Sequence, residues 1–347
     1  MSMSESRRKK LSMLISSIAR KDFDAAKKLI SPDALRAAGG PGPAPAREGG
    51  TPAGDGATTD NVTDASEVAA GDGAALGPSA ILPTPIAGGE SPSQGPLALE
   101  LACPGTELAI VTPSGPAKCW LVRRSLAQIA PDCLSIATQY AAVMNGARQR
   151  VDELEASAAL CAVTASGPCD LLFLDIETCG LAGTGVFLVG TMFYHDCGLV
   201  FEQHLARDYA EEAAIVQAIS ERLDGAGVLV TFNGKSFDMN FLAERAAYHG
   251  VEMPPRAPHH LDLLHESRRR WRKSLPNCRL QTLERCFCGR VRHGDIPGWA
   301  IPDAYHRFVA KGDARELRDI LHHNLLDLLT MAELLCAVLT GAAPPTE

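Results

Sequence analysis

The chain has 347 residues, 46% of them apolar and only 5% aromatic, which supports one sizeable core beside a stretch that cannot pack. No apolar run approaches the ~20 residues that a bilayer-spanning helix needs, so a membrane protein is excluded. The net charge of -8 by itself argues against nucleic acid, but residues 38–98 hold seven acids against one Arg while residues 256–293 hold ten Lys or Arg against three acids, so the average describes the first segment alone.

Residues 1–37 read as a charged helix in which Leu11, Ile15 and Ile18 share a face, with nine basic residues between positions 5 and 36. Its opening RRKKLSMLISSIARKD imitates a signal peptide, yet the apolar stretch is brief, holds three Ser and runs straight into Arg20, Lys21 and Asp22. An amphipathic helix and a cytoplasmic protein are therefore expected, with the eleven cysteines as reduced thiols. Residues 38–96 are rich in Gly, Ala, Pro, Ser, Thr and Asp, and no aromatic residue occurs between Phe23 and Trp120. Such a stretch cannot bury enough apolar area to offset the entropy of ordering, so a disordered linker is expected.

From Leu97 the texture changes. Residues 97–166 read as a small lead-in segment packed on the core, with an extended pair at ELAIVTP and AKCWLVRR and a helix over about 131–157. Residues 167–341 read as the main domain. LLFLDIE, VFLVGTMFY and LVFEQHL are separated by short turns and predict an antiparallel meander. YAEEAAIVQAISERL has the 3.6 period of a helix, VLVTFNG is a buried strand, and a second helix starts near Ser236. HHLDLL suggests a fifth strand, and RELRDILHHNLLDLLTMAELL a long final helix. Three strands, helix, strand, helix and further elements make an α/β layer pattern, and no internal repeat interrupts it.

Asp175 and Glu177 end the apolar strand LLFLDIE two residues apart, so the pleat puts both on one face. Two like charges on a buried strand repel, and burying them costs several kcal/mol each unless a cation compensates. A hard divalent ion such as Mg²⁺ or Mn²⁺ is the simplest compensation. Asp238 falls in the first turn of the helix after VLVTFNG, where the dipole favours a carboxylate. Asp327 lies inside LLDLL on a helix apolar almost all round, and a buried aspartate needs a partner.

Asp175-Ile-Glu177, Asp238 and Asp327 resemble the four metal-binding carboxylates of the DEDD exonucleases. FLDIET, GLAGTGVFLVG, TFNGKSFD, DLLH, DIPG and HNLLD, in that order over about residues 171–339, resemble the YprB-type RNase H-like proteins more closely still. The resemblance implies an α/β RNase H-like fold: a central mixed sheet of three antiparallel strands followed by parallel ones, flanked by helices, with a disordered N-terminal region. It implies a metal-dependent 3′-5′ exonuclease holding two Mg²⁺ or Mn²⁺ ions, with Asp175 bridging them and Glu177, Asp238 and Asp327 completing their shells. The partner it implies is nucleic acid, in particular single-stranded 3′ ends, with no membrane; it names no helicase or repair partner. The alternative is a non-catalytic RNase H-like module that binds nucleic acid without turnover.

Two histidines compete for the role of base. His322 stands five before Asp327, the spacing of the His-type DEDD enzymes, and His323 stands four before it, where the Tyr-type enzymes carry tyrosine. On a continuous helix His323 lies about 40° from Asp327 and His322 about 140° away, which favours His323. His322 requires a loop or a broken turn before Asp327.

For substrate contact, Asn233 and Lys235 precede Asp238 in a tight turn, and RRRWRK offers Arg268, Arg269 and Arg272 to phosphates with Trp271 as a stacking surface for a base. Gly180, Gly183 and Gly185 imitate a dinucleotide fingerprint but sit between antiparallel strands with no helix following, so they read as a hairpin turn. The C-x-C spacing of Cys286 and Cys288, with Cys278 and His293 nearby, is tighter than the usual zinc knuckle. Asp262 reads either as a further acid near the site or as a strand-end residue.

Overall fold

The computed structural model describes residues 95–149, 156–180, 183–254 and 259–345; nearly all of the expected N-terminal helix and linker lies outside them. Seven strands form one sheet: β1 (Thr106–Thr112), β2 (Gly115–Ser125), β3 (Leu171–Thr178), β4 (Val186–His195), β5 (Gly198–Leu205), β6 (Val228–Thr231) and β7 (His260–Asp262), in spatial order β1-β2-β5-β4-β3-β6-β7. The expected meander is β3-β4-β5, antiparallel throughout, and β6 and β7 then add in parallel beside β3. The first hairpin is not merely laid on the core. β2 pairs antiparallel with β5 and extends the same sheet.

Among the described residues, the helices of eight residues or more are α1 (Leu134–Ala147), α2 (Ala158–Ala165), α3 (Glu212–Asp224), α4 (Asp238–His249), α5 (Leu263–Trp271), α6 (Ile301–Lys311) and α7 (Arg315–Thr340). Of the single helix expected over 131–157, α1 takes Leu134–Ala147, and residues 150–155 lie outside the described residues. Ser157 starts the next helix instead of ending the previous one: its hydroxyl accepts the Leu160 N–H at 3.2 Å, the N-cap bond that sets the start of α2.

The pleat of β3 divides the core. Leu171 and Phe173 face one cluster with Met192, Phe201, Val230 and the apolar residues of α1, α5 and α7, while Leu172, Leu174 and Ile176 face another with Phe187, Ile215, Ile219, Leu242 and Tyr305. α7 is long and apolar enough to cross a membrane by composition alone, but 78% of its apolar window is buried inside the protein, as a core helix requires. All eleven cysteines lie among the described residues, and none of them is in a disulfide.

α7 meets the sheet at a position that only glycine permits. The Asn324 side chain is fully buried against β4, and a Cβ at Gly190 would fall 2.0 Å from its Oδ1. Gly190→Ala is therefore expected to destabilise the fold by about 1–3 kcal/mol, the usual range for overpacking, read as a lower urea midpoint at unchanged slope. Gly146→Ala, a helical glycine in α1 whose added Cβ meets nothing within 4 Å, is expected to raise the midpoint slightly.

Candidate active site

Asp175 and Glu177 lie on the α7 side of β3, continuing the Leu171 and Phe173 row, and they are the two partly accessible positions of an otherwise buried strand. Asp175 pairs in register with Gly190 of β4. Over that gap Asn324 Nδ2 donates to the Asp175 carboxylate at 2.8 Å and to its backbone carbonyl at 3.3 Å, while Gln203 Nε2 donates to Asn324 Oδ1 at 2.9 Å and to the Leu321 carbonyl at 2.7 Å. One carboxamide thus fixes the first carboxylate relative to α7.

Asp238 is the first residue of α4 and is buried. The loop before it is organised by Asp262 at the end of β7, whose carboxylate accepts the N–H groups of Asn233 at 2.9 Å, Lys235 at 3.1 Å and Leu264 at 3.0 Å. Asn233 adopts a left-handed φ of 67°, and a Cβ on Gly234 would strike Thr231 at 2.5 Å, so the turn needs this sequence to stay tight. Asp262 is accordingly a buried backbone anchor, and Asn233 and Lys235 keep their side chains exposed beside Asp238.

α7 is continuous through its two histidines, so His323 shares a face with Asp327 and His322 does not. His323 Nδ1 hydrogen-bonds Asp295 Oδ2 at 2.9 Å, and its Nε2 faces Asp327 Oδ2 at 3.7 Å. No hydrogen bond or ion pair among the described residues engages His322. Its burial depresses the imidazole below its usual value, with nearby Asp295 opposing. For His323, burial likewise disfavours the cation, but the Asp295 hydrogen bond and the charges of Asp327 and Asp295 more than offset it and hold the imidazole above its ordinary value.

The carboxylates act on one another. Burial, then the charges of Asp327, Glu177 and Asp238, push Asp175 well above the ordinary carboxylate range. Burial, then Asp327, Asp238 and Asp295, do the same to Glu177. Asp238 is pushed up to about 7, chiefly by burial; backbone hydrogen bonds from Asp238 and Ile176 oppose the shift, and Asp262 and Asp327 add to it. None of the ion pairs found among the described residues includes Asp175, Glu177 or Asp238. This excess of buried negative charge is the donor chemistry that a hard divalent cation takes.

Asp327 differs, because the buried Arg292 reaches its Oδ1 at 2.6 Å and also pairs with Glu284 at 2.6 Å and Asp295 at 3.2 Å. Among the described residues no group of three or more His, Cys, Asp or Glu side chains is arranged to hold a metal as it stands, the cysteine cluster included. Burial also raises the Cys288 thiol, which disfavours the thiolate that zinc requires. A cleft of about 420 Å³ lies elsewhere, around Glu212, Arg245, Tyr248 and His306, and contains none of the four carboxylates.

The basic motif is corrected by its burial. Trp271 is only 4% exposed, packs on Phe287 with centroids 4.1 Å apart and donates its indole N–H to the Ala342 carbonyl, so its faces are closed to a base. That carbonyl lies just past the C-terminal end of α7, roughly 20 Å along the helix from Asp327 at 1.5 Å per residue. Arg269 and Arg270 both pair with Glu266; Arg268 and Arg272 are exposed. The amphipathic spacing of α5, which makes position 271 a core position, overrides the compositional signal. Conversely, Asp295 and Asn324 stand in the sequence only within the strings DIPG and HNLLD, without a role of their own, and nothing there singles out Arg292. The one available signal was polarity in place: Asn324 stands in the middle of a Leu-rich helix face.

The model of the RNase H superfamily matches residues 172–339. Uncharacterized protein YprB of Bacillus subtilis (strain 168) is 34% identical over 170 residues, taking in 48% of this chain and 41% of that protein, so the chain spans less than half the length of this relative. Among solved structures, the family B DNA polymerase from the hyperthermophilic archaeon Pyrobaculum calidifontis aligns over 47% of this chain and 24% of its own, at 16% identity and a TM-score of 0.39, a likeness too slight to bear on function. Residues 172–339, which carry the acidic strand end and the histidine-bearing helix, are thus similar in sequence to the RNase H superfamily and, within it, to YprB.

Proposed function

We propose that this protein is a metal-dependent 3′-5′ exonuclease acting on nucleic acid, with single-stranded 3′ ends as its substrate and the cytoplasm as its place of action. The observation that carries the reading is the gathering of Asp175, Glu177, Asp238 and Asp327: the charge of Asp327 raises the other three carboxyls, and those three lie outside every ion pair among the described residues. These four side chains would hold Mg²⁺ or Mn²⁺, two ions in the reading favoured here. When bound, such ions stabilise the charge that builds on the attacking and leaving oxygens of a phosphodiester.

The remaining roles belong to the protein. Asp295 holds the proton of His323 on Nδ1, which leaves Nε2 with a lone pair facing Asp327 and able to accept a proton from an attacking water. Arg292 occupies one oxygen of Asp327 and so presents the other toward His323. Asn324 orients Asp175. Lys235, exposed beside Asp238, is placed to meet a phosphate. A non-catalytic nucleic-acid-binding module is the second reading, favoured by the engagement of Asp327 with Arg292 and by the absence, among the described residues, of a group already set to grip an ion.

Three outcomes are expected. In Mn²⁺-dependent degradation of 3′- and 5′-labelled single-stranded DNA and RNA, Asp175→Ala should lose hydrolysis while its circular dichroism stays native, since losing the metal grip forfeits several kcal/mol at about 1.4 kcal/mol per decade of rate. Wild-type turnover by that variant would remove the two-metal assignment, and strong binding without hydrolysis by the wild type would establish the non-catalytic module. His323→Ala should lose at least about a hundredfold in turnover and His322→Ala much less; the reverse ranking would transfer the role to His322. Asp295→Asn should move the acid limb of the rate profile to lower pH, because removing that negative charge lowers the imidazole toward its ordinary value; an unmoved limb would separate His323 from proton transfer.

A further inference from the structure

Among the described residues Trp299 is the most exposed large apolar side chain, at 82%, whereas Trp120 and Trp271 are buried at 7% and 4%. The segment that carries it is anchored at both ends. At one end Asp295 is held by His323 and Arg292. At the other, Ile301, Ala304 and Tyr305 of α6 are buried, and between them Ala300 N–H closes a turn on the Pro297 carbonyl at 2.8 Å. The ring therefore stands in solvent on a rigid support, so little conformational freedom is lost when a partner covers it. Trp299 stands four positions after Asp295, which keeps their Cα atoms within roughly 14 Å, a distance of a few nucleotides.

We infer that Trp299 is the stacking platform for one unpaired base of a single strand whose end lies at the carboxylates. A protein partner would require a contiguous apolar patch, but the neighbours in this segment are His293, Gly294, Pro297 and Gly298, all exposed, with Asp303 on the first turn of α6. A single base requires only the face of one ring. Bases inside a duplex have both faces covered, so a lone ring a few nucleotides from the strand end selects unpaired bases. The identity of the strand rests on the proposed nuclease reading, but the stacking itself does not require turnover.

The full-length protein supplies its own probe, since Trp299 is the only exposed member of its three tryptophans. A fluorescein-labelled phosphorothioate oligothymidylate, titrated in EDTA and separately in Ca²⁺, reports binding by anisotropy, and an unlabelled copy reports quenching of tryptophan emission. Binding is expected to quench the emission. Trp299→Ala should weaken binding roughly five- to a hundredfold, the loss of one base-aromatic stack, with an unchanged circular dichroism spectrum, and Trp299→Phe should recover most of it. Absence of oligonucleotide binding by the wild type, binding with unchanged emission, or equal affinity of wild type and Trp299→Ala each overturns the inference. Quenching that persists in a protein without any hydrolysis would remove the nuclease reading and leave the stacking site in place.

Discussion

The approach of α7 to the sheet at Gly190 is the contact from which the site follows. Helix and strand come close only because one residue has no side chain, and the space is filled by Asn324, whose carboxamide accepts from Gln203 and donates to Asp175. A buried amide left without partners costs more than a typical hydrogen bond contributes, and Asn324 keeps the Asp175 backbone carbonyl as a partner whatever side chain stands at 175. It also fixes the helix along its axis. With Asn324 pinned to β3 and β4, His323 and Asp327 fall at set heights above the strand that carries Asp175 and Glu177.

A second layer of charge holds the far side. Glu284, almost wholly buried, accepts from Arg290 at 2.6 Å, from Arg292 at 2.6 Å and from Thr330 Oγ1 at 2.8 Å, and Arg290 also pairs with Glu333. Each of these charges would be costly alone in the interior; paired and hydrogen-bonded, they offset one another and tie the segment around residues 284–295 to the middle of α7. Arg292 extends the network to Asp295 and Asp327. The site is thus backed by a buried ion lattice on one side and faces three unneutralised carboxylates on the other.

Much of this was legible in the residues. The period-two pattern of β3 gives the shared face of Asp175 and Glu177, and the unbroken helical period of α7 puts His323, not His322, on the face of Asp327, because both are properties of local geometry. What escaped depends on contacts across long stretches of chain. Asn324 meets Asp175 at a sequence separation of 149, and Asp295 meets His323 across 28 residues. The stacking role expected of Trp271 fails for a related reason: the composition of RRRWRK hides that its single tryptophan sits at the helical position that faces Phe287 and the end of α7. Ser157 shows the same lesson in small, since a serine after a helical stretch caps whichever helix its hydroxyl can reach.

β3 is hydrogen-bonded on both edges, antiparallel to β4 and parallel to β6. Its register therefore cannot drift without breaking two ladders at once, and the one irregularity in its pairing falls after Glu177, past both acids. A shift of a single residue would turn Asp175 and Glu177 together into the apolar core on the opposite face. Their presentation is in this sense digital: a chain whose central strand is mispaired by one place keeps its sheet but has no acidic face at all. Single-residue insertions and deletions within β3 are consequently barred, while changes beyond its C-terminal bulge leave the acidic face as it was.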